Sequence, residues 1–135
     1  MSMAIQKAII YATLKHEGQK RKGTNIPYIV HPMEVMQILT ELQCTENVII
    51  AGILHDTLED TDATLEEIKQ LFGADVLAIV QTESEDKSKT WKERKAATIE
   101  RLESDTSSTK IVCFADKLSN IRSMYRDKLE IGAEL

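Results

Sequence analysis

Apolar residues recur along this chain at the three- and four-residue spacing of helices, and nowhere in the strict alternation of a strand. Ile5, Ala8, Ile9 and Ala12 mark a first helix from about Met3 to Gly18, where the glycine provides a stop. Lys20 to Pro27 reads as a loop rich in basic residues, Gly, Asn and Pro. Pro32 suits the first turn of a second helix, with Val35, Met36, Ile38, Leu39 and Leu42 on its inner side. A third helix, about Glu46 to Leu58, contains the run Val48 to Leu54, apolar on every face, which predicts the most buried element. Two capping boxes punctuate the second half of the chain: Thr64 with Glu67 opens a short helix ending at Gly73, and Thr90 with Glu93 opens one running to about Leu102. Between them, Ala74 to about Thr82 predicts a further helix and Glu83 to Lys89 a charged loop. The last helix starts near Thr106 to Ser108 and runs through Ile111, Val112, Phe114, Ala115, Leu118, Ile121 and Met124. The expectation is an all-α helical bundle, one domain over residues 1–135. Ile131 and Leu135 continue the last pattern, so the natural protein is expected to carry further C-terminal residues.

Composition narrows the setting. A chain of 135 residues can bury roughly two-thirds of its unfolded surface without disulfides. Cys44 and Cys113 lack CxxC spacing and read as buried, reduced thiols. No stretch approaches the ~20 apolar residues of a membrane span, and the N-terminus lacks the layout of a signal peptide, so a soluble cytoplasmic protein is expected. The net charge of −5 argues against nucleic acid as a partner. An anionic ligand would therefore need a local basic cluster or a metal, and Lys20-Arg21-Lys22 is such a cluster.

The hexapeptide His55-Asp56-Thr57-Leu58-Glu59-Asp60 concentrates metal- and proton-handling side chains. On a helix, His55 and Glu59 are i,i+4 neighbours, as are Asp56 and Asp60, while His55 and Asp56 stand about 100° apart and can reach one ion. His31, at a helix entrance, and Asp116 complete a set of two imidazoles and two carboxylates that suits manganese, iron or zinc. Such a set cancels the charge of a divalent ion, which can still acidify water. The bland alternative, a helix end meeting solvent, leaves charged groups among apolar helices without partners. Glu59 and Asp60 can handle the proton of a water or form a plain acidic loop with Asp62. Asn120 can donate to a phosphoryl oxygen or ribose hydroxyl, or cap a local backbone group. His16 reads as a packing residue. Lys87, Lys89, Lys92, Arg94 and Lys95 read as an exposed helix face, with Trp91 anchoring the core.

These blocks resemble a known family. His16-Glu17-Gly18-Gln19-Lys20-Arg21-Lys22, Pro27-Tyr28-Ile29-Val30-His31-Pro32, Ala51 through Asp60, Trp91-Lys92-Glu93-Arg94-Lys95 and Ala115 through Arg122 are similar, in this order, to the hydrolase domain of RelA/SpoT-type alarmone enzymes. The chain resembles more closely the small stand-alone alarmone hydrolases, which include the metazoan SpoT homologue. The resemblance implies an HD-domain fold and a manganese ion on His31, His55, Asp56 and Asp116. It implies removal of the 3′-pyrophosphate from guanosine tetra- or pentaphosphate (ppGpp or pppGpp), with Glu59 and Asp60 as the water-handling pair. By the same implication Arg21 and Lys22 hold the guanine side, and Tyr28 and Asn120 contact the nucleoside. Two rivals stand beside it: an HD phosphohydrolase of another nucleotide, such as a deoxynucleoside monophosphate or NADPH, and a nucleotide-binding module without turnover. Two carboxylates beside an anion suit a catalyst better than a pure binder.

Overall fold

The computed structural model describes residues 2–83 and 107–134. These form helices α1 (Met3–Lys15), α2 (Val30–Glu41), α3 (Glu46–Leu54), α4 (Thr57–Asp60), α5 (Leu65–Phe72), α6 (Ala74–Glu83) and α7 (Ser107–Glu134). Among the described residues the only β-type pairing is the isolated bridge between Lys20 and Pro27. The expected Thr90 to Leu102 helix with its capping box, Trp91 and the cations from Lys87 to Lys95 lie outside the described residues, as does most of the expected Glu83 to Lys89 loop.

Local chemistry sets the helix ends. Ser2 Oγ accepts from the Ile5 amide at 3.1 Å and caps α1. The helix gives way at His16, and the chain turns through Gly18 at φ +83, a backbone that glycine adopts without strain. Thr64 and Glu67 form the expected reciprocal capping box at the head of α5. No side chain caps α2, but the amides of Val30 and His31 bond to the carbonyls of Pro27 and Tyr28, which fixes the approach of the basic loop to His31.

The core is built around α3. Every residue from Val48 to Leu54 is buried, and the helix packs against α1, α2, α6 and α7. Ala8 and Ala12 of α1, Val35 and Leu39 of α2, Val76 and Val80 of α6, and Val112 and Ala115 of α7 close over it. Gly52 allows the tightest approach: a Cβ there would collide with Leu39 Cδ1 and press on Val35 Cγ1.

One expected boundary is wrong. The third helix does not run to Leu58 but stops at Leu54, and a separate single turn, α4, resumes at Thr57. His55 Nδ1 bonds back to the Gly52 carbonyl, and Thr57 Oγ1 donates to the Leu54 carbonyl at 2.7 Å. Side-chain donors thus occupy carbonyls that a continuing helix would offer to backbone amides. His55 and Glu59 therefore do not share one regular helix, whereas Asp56 and Asp60 keep a helical turn through the Asp60 amide on the Asp56 carbonyl at 3.0 Å.

The close approach at Gly52 yields a test. Helix propensity favours alanine over glycine by about 1 kcal/mol, yet overpacking a filled core costs about 1–3 kcal/mol. Gly52→Ala should lower the midpoint of a urea melt, and a midpoint equal to or above the parent's would show that Leu39 yields freely.

Candidate metal centre

Four elements bring the expected ligands to one point. His31 lies in the first turn of α2, His55 caps α3, Asp56 precedes α4, and Asp116 lies in α7. One donor atom from each lies within 4.8 Å of all the others. Asp116 Oδ1 is 2.8 Å from His31 Nε2 and 2.9 Å from His55 Nε2, and Asp56 Oδ2 is 3.1 Å from His55 Nε2. The two imidazoles are 3% and 2% exposed, while the carboxylates keep one edge toward solvent.

Outer hydrogen bonds settle which ring nitrogens carry protons. A carbonyl oxygen only accepts, so His55 Nδ1 is protonated against Gly52 and Nε2 of the neutral ring presents a bare lone pair. His31 is fixed less directly. Ser119 Oγ donates to Glu34 Oε1 at 2.7 Å, so its lone pair receives His31 Nδ1–H at 2.9 Å. Arg126 lies 3.4 Å from Glu34 and pairs with that carboxylate. Both Nε2 lone pairs therefore face carboxylate oxygens at hydrogen-bond distance. Lone pair against lone pair is repulsive unless a cation stands between them. The residues present fit a divalent metal ion, and a proton is its only substitute.

The acid–base shifts report the same conflict. Burial works against charge on His55, but the Asp56 charge and hydrogen bonds to Asp116 and Asp56 outweigh it and raise the imidazole well above its usual value. Burial likewise opposes ionisation of Asp56, yet His55 and the Tyr28 hydroxyl hold its carboxyl down at about 2. Asp116 is also held far below the usual carboxylate range, with burial overcome by its bonds to His31 and His55. Burial and the charge of Asp56 push the Tyr28 phenol up, so it stays protonated and donates to Asp56 Oδ2 at 2.6 Å.

The other expected residues are distributed around this centre. Arg21 Nη2 donates to Asn120 Oδ1 at 3.1 Å, and the guanidinium lies 5.7 Å from the Tyr28 ring centroid, so three of the four expected substrate contacts meet. Lys22 is exposed in the turn of the same loop. Glu59 is half-buried and Asp60 exposed in α4, whose backbone is tied by Gln19 Nε2 donating to the Asp60 carbonyl at 2.8 Å. His16 packs as expected: buried, its ring 4.8 Å from that of Tyr28 and its Nδ1 2.9 Å from Gln19 Oε1. The same Gln19 thus links the basic loop to α4. A cavity of about 180 Å³ adjoins the centre, bounded by Arg21 and Ile26 of the loop, Val30 and His31 of α2, and Ser123 and Asp127 of α7. Sequence reasoning missed Glu34 and Ser119. Each stands three residues after an expected ligand, His31 or Asp116, a helical spacing that puts it on the same side.

The HD-domain family model matches residues 8–133 of this chain. The chain belongs to the HD-domain family. Within it, guanosine-3′,5′-bis(diphosphate) 3′-pyrophosphohydrolase MESH1 of Drosophila melanogaster is 38% identical over 126 residues, covering 91% of this chain and 70% of that protein. MESH1 of Homo sapiens is 42% identical over 123 residues, covering 89% and 69%. A solved structure described as a metazoan ortholog of SpoT that hydrolyses ppGpp superposes with a TM-score of 0.85 at 38% identity, covering 93% of this chain and 72% of that one. Among the described residues no helix of this HD domain is long and apolar enough to cross a membrane.

Because the metal competes with a proton on His55, affinity should depend on pH with a definite sign. Below the raised value of His55 the ring must lose its proton before it can ligate. Affinity should then fall by up to about tenfold per unit as pH drops, and level off above that value. Asp56 and Asp116 stay ionised throughout and add nothing to the slope. Calorimetric titration with a divalent ion in buffers of different ionisation enthalpy should show proton release below the plateau, and metal binding with no proton released there would contradict the raised proton affinity of His55.

Proposed function

We propose that this protein is a metal-dependent (p)ppGpp 3′-pyrophosphohydrolase, converting guanosine 3′-diphosphate 5′-diphosphate and water to GDP and pyrophosphate in the cytoplasm. The observation that carries the reading is the pair of tautomer-fixed imidazole nitrogens opposed to two carboxylates beside an arginine-flanked cavity. Its support from outside is the likeness to MESH1 over nine-tenths of the chain.

In this reading His31, His55, Asp56 and Asp116 hold one manganese ion. When bound, the ion supplies a Lewis acid that draws charge from phosphoryl oxygens and acidifies water. The remaining steps fall to side chains. Glu59 and Asp60 take the proton of the attacking water and return one to the departing 3′-oxygen; the water oxygen bonds to the phosphorus next to the ribose, and the 3′ P–O bond breaks. Tyr28 holds Asp56 in place through its hydroxyl. Arg21 is held on the Tyr28 ring by Asn120 and flanks the guanosine. Two aspartates cancel the charge of the ion, so attraction for a polyanion comes from Arg21 and Lys22.

The product assay is direct: ppGpp should yield GDP and pyrophosphate, whereas orthophosphate released from a nucleoside monophosphate with ppGpp untouched would replace this reading. Glu59→Gln and Asp60→Asn should retain the metal and bind nucleotide at least as well as the parent, because each removes a negative charge. Their turnover should fall by roughly 10²–10⁴-fold. Full rates in both variants would reduce the pair to surface acids.

A further inference from the structure

Two carboxylates border the cavity beside His31, and only one of them is engaged. Glu34 accepts from Ser119 and pairs with Arg126. Asp127, half-buried on the same wall, has no hydrogen bond or ion pair among the described residues. Ser119, Ser123 and Asp127 stand at i, i+4 and i+8, so they share one face of α7. That face starts at the hydroxyl bonded to His31 and ends about 12 Å further along the helix axis.

We infer that Asp127 is a specificity-determining residue that selects guanine over adenine, an inference that rests on the nucleotide hydrolase reading above. With the reacting phosphate at the metal end of the face, the base lies toward its far end, between Arg21 and α7. The cavity, about 180 Å³, has room for a purine. An ionised aspartate only accepts hydrogen bonds. Guanine offers two adjacent donors on one edge, N1–H and the 2-amino group, which match the two oxygens of a carboxylate. Adenine presents an N1 lone pair at the same place and meets repulsion. Ser123 both donates and accepts, so it cannot make this distinction. Nor does the negative charge forbid a polyanionic ligand. The base end lies about 12 Å from the metal end, beyond the ~8 Å screening length of physiological salt, and Arg21 and Arg126 border the cavity.

The test compares the guanosine, inosine and adenosine 3′,5′-bis(diphosphates) on wild type, Asp127→Asn and Asp127→Ala, each checked for normal metal content. Hydrogen bonds to a charged acceptor are strong enough that losing them costs roughly 10–100-fold. The guanosine-to-adenosine ratio of kcat/KM should fall by that factor in both variants, mainly through KM, since the base is remote from the bond that breaks. Removing the 2-amino group, as in the inosine compound, should slow wild type but leave Asp127→Ala nearly indifferent. Guanosine hydrolysis with an unchanged base ratio in both variants would overturn the assignment. If wild type cleaves none of the three, the hydrolase reading fails instead. The affinities of GDP and ADP for wild type and variants then decide the role of Asp127 separately: a guanine preference lost in the variants supports it, and equal preferences refute it.

Discussion

Two imidazole lone pairs and two carboxylates packed within hydrogen-bond distance repel one another until a cation stands among them, and the surrounding polar structure exists to keep them there. Gly52 fixes the proton of His55 and Ser119 fixes that of His31. Glu34 orients Ser119, and Arg126 in turn pairs with Glu34. Without these outer bonds either ring could rotate or exchange tautomers and turn a donor toward the aspartates, relieving the conflict without a metal. Elements distant in sequence therefore hold the centre in an arrangement that needs a cation to complete it, a proton on His55 or a metal ion.

Holding it requires a rigid support, and α3 provides one. A helix buried on every side has little freedom to shift, so its end, where His55 stands, is as well placed as the core itself. The break after Leu54 then turns the chain so that Asp56 and α4 continue along the rim of the centre rather than into the core. The basic loop is fixed as well: the bridge between Lys20 and Pro27 closes it on itself, the Val30 amide on the Pro27 carbonyl joins it to α2, and the Gln19 amide on the Asp60 carbonyl joins it to α4.

Much of this was legible in the sequence because helical periodicity and capping boxes are local signals. Ser2, Gly18, Thr64 and Gly73 end or begin helices for reasons contained within a few residues. The convergence of His31, His55, Asp56 and Asp116 was legible because histidines and aspartates placed among apolar runs have few other physical reasons to be there. The helix break at His55 was not legible, since it depends on a ring reaching back to a carbonyl whose availability the spacing does not reveal. Glu34 and Ser119 escaped for a different reason. Each is unremarkable within its own helix and acquires a role only when α2 and α7 pack side by side, a contact spanning 85 residues of chain. Asp127 is similar, an ordinary surface acid until α7 faces the loop carrying Arg21.

Gly52 belongs to both worlds. Its missing side chain admits Leu39 and Val35, and its carbonyl sets the proton on His55. A substitution at Leu39 or Val35 that moves this backbone by a few tenths of an ångström would be registered by the imidazole before the fold as a whole noticed. Sequence drift in the interior would thus first produce molecules with an intact circular dichroism spectrum and a weakened grip on metal. In a cell short of the ion, such molecules would be silent long before they were unfolded, so the supply of metal sets how much change the core can tolerate.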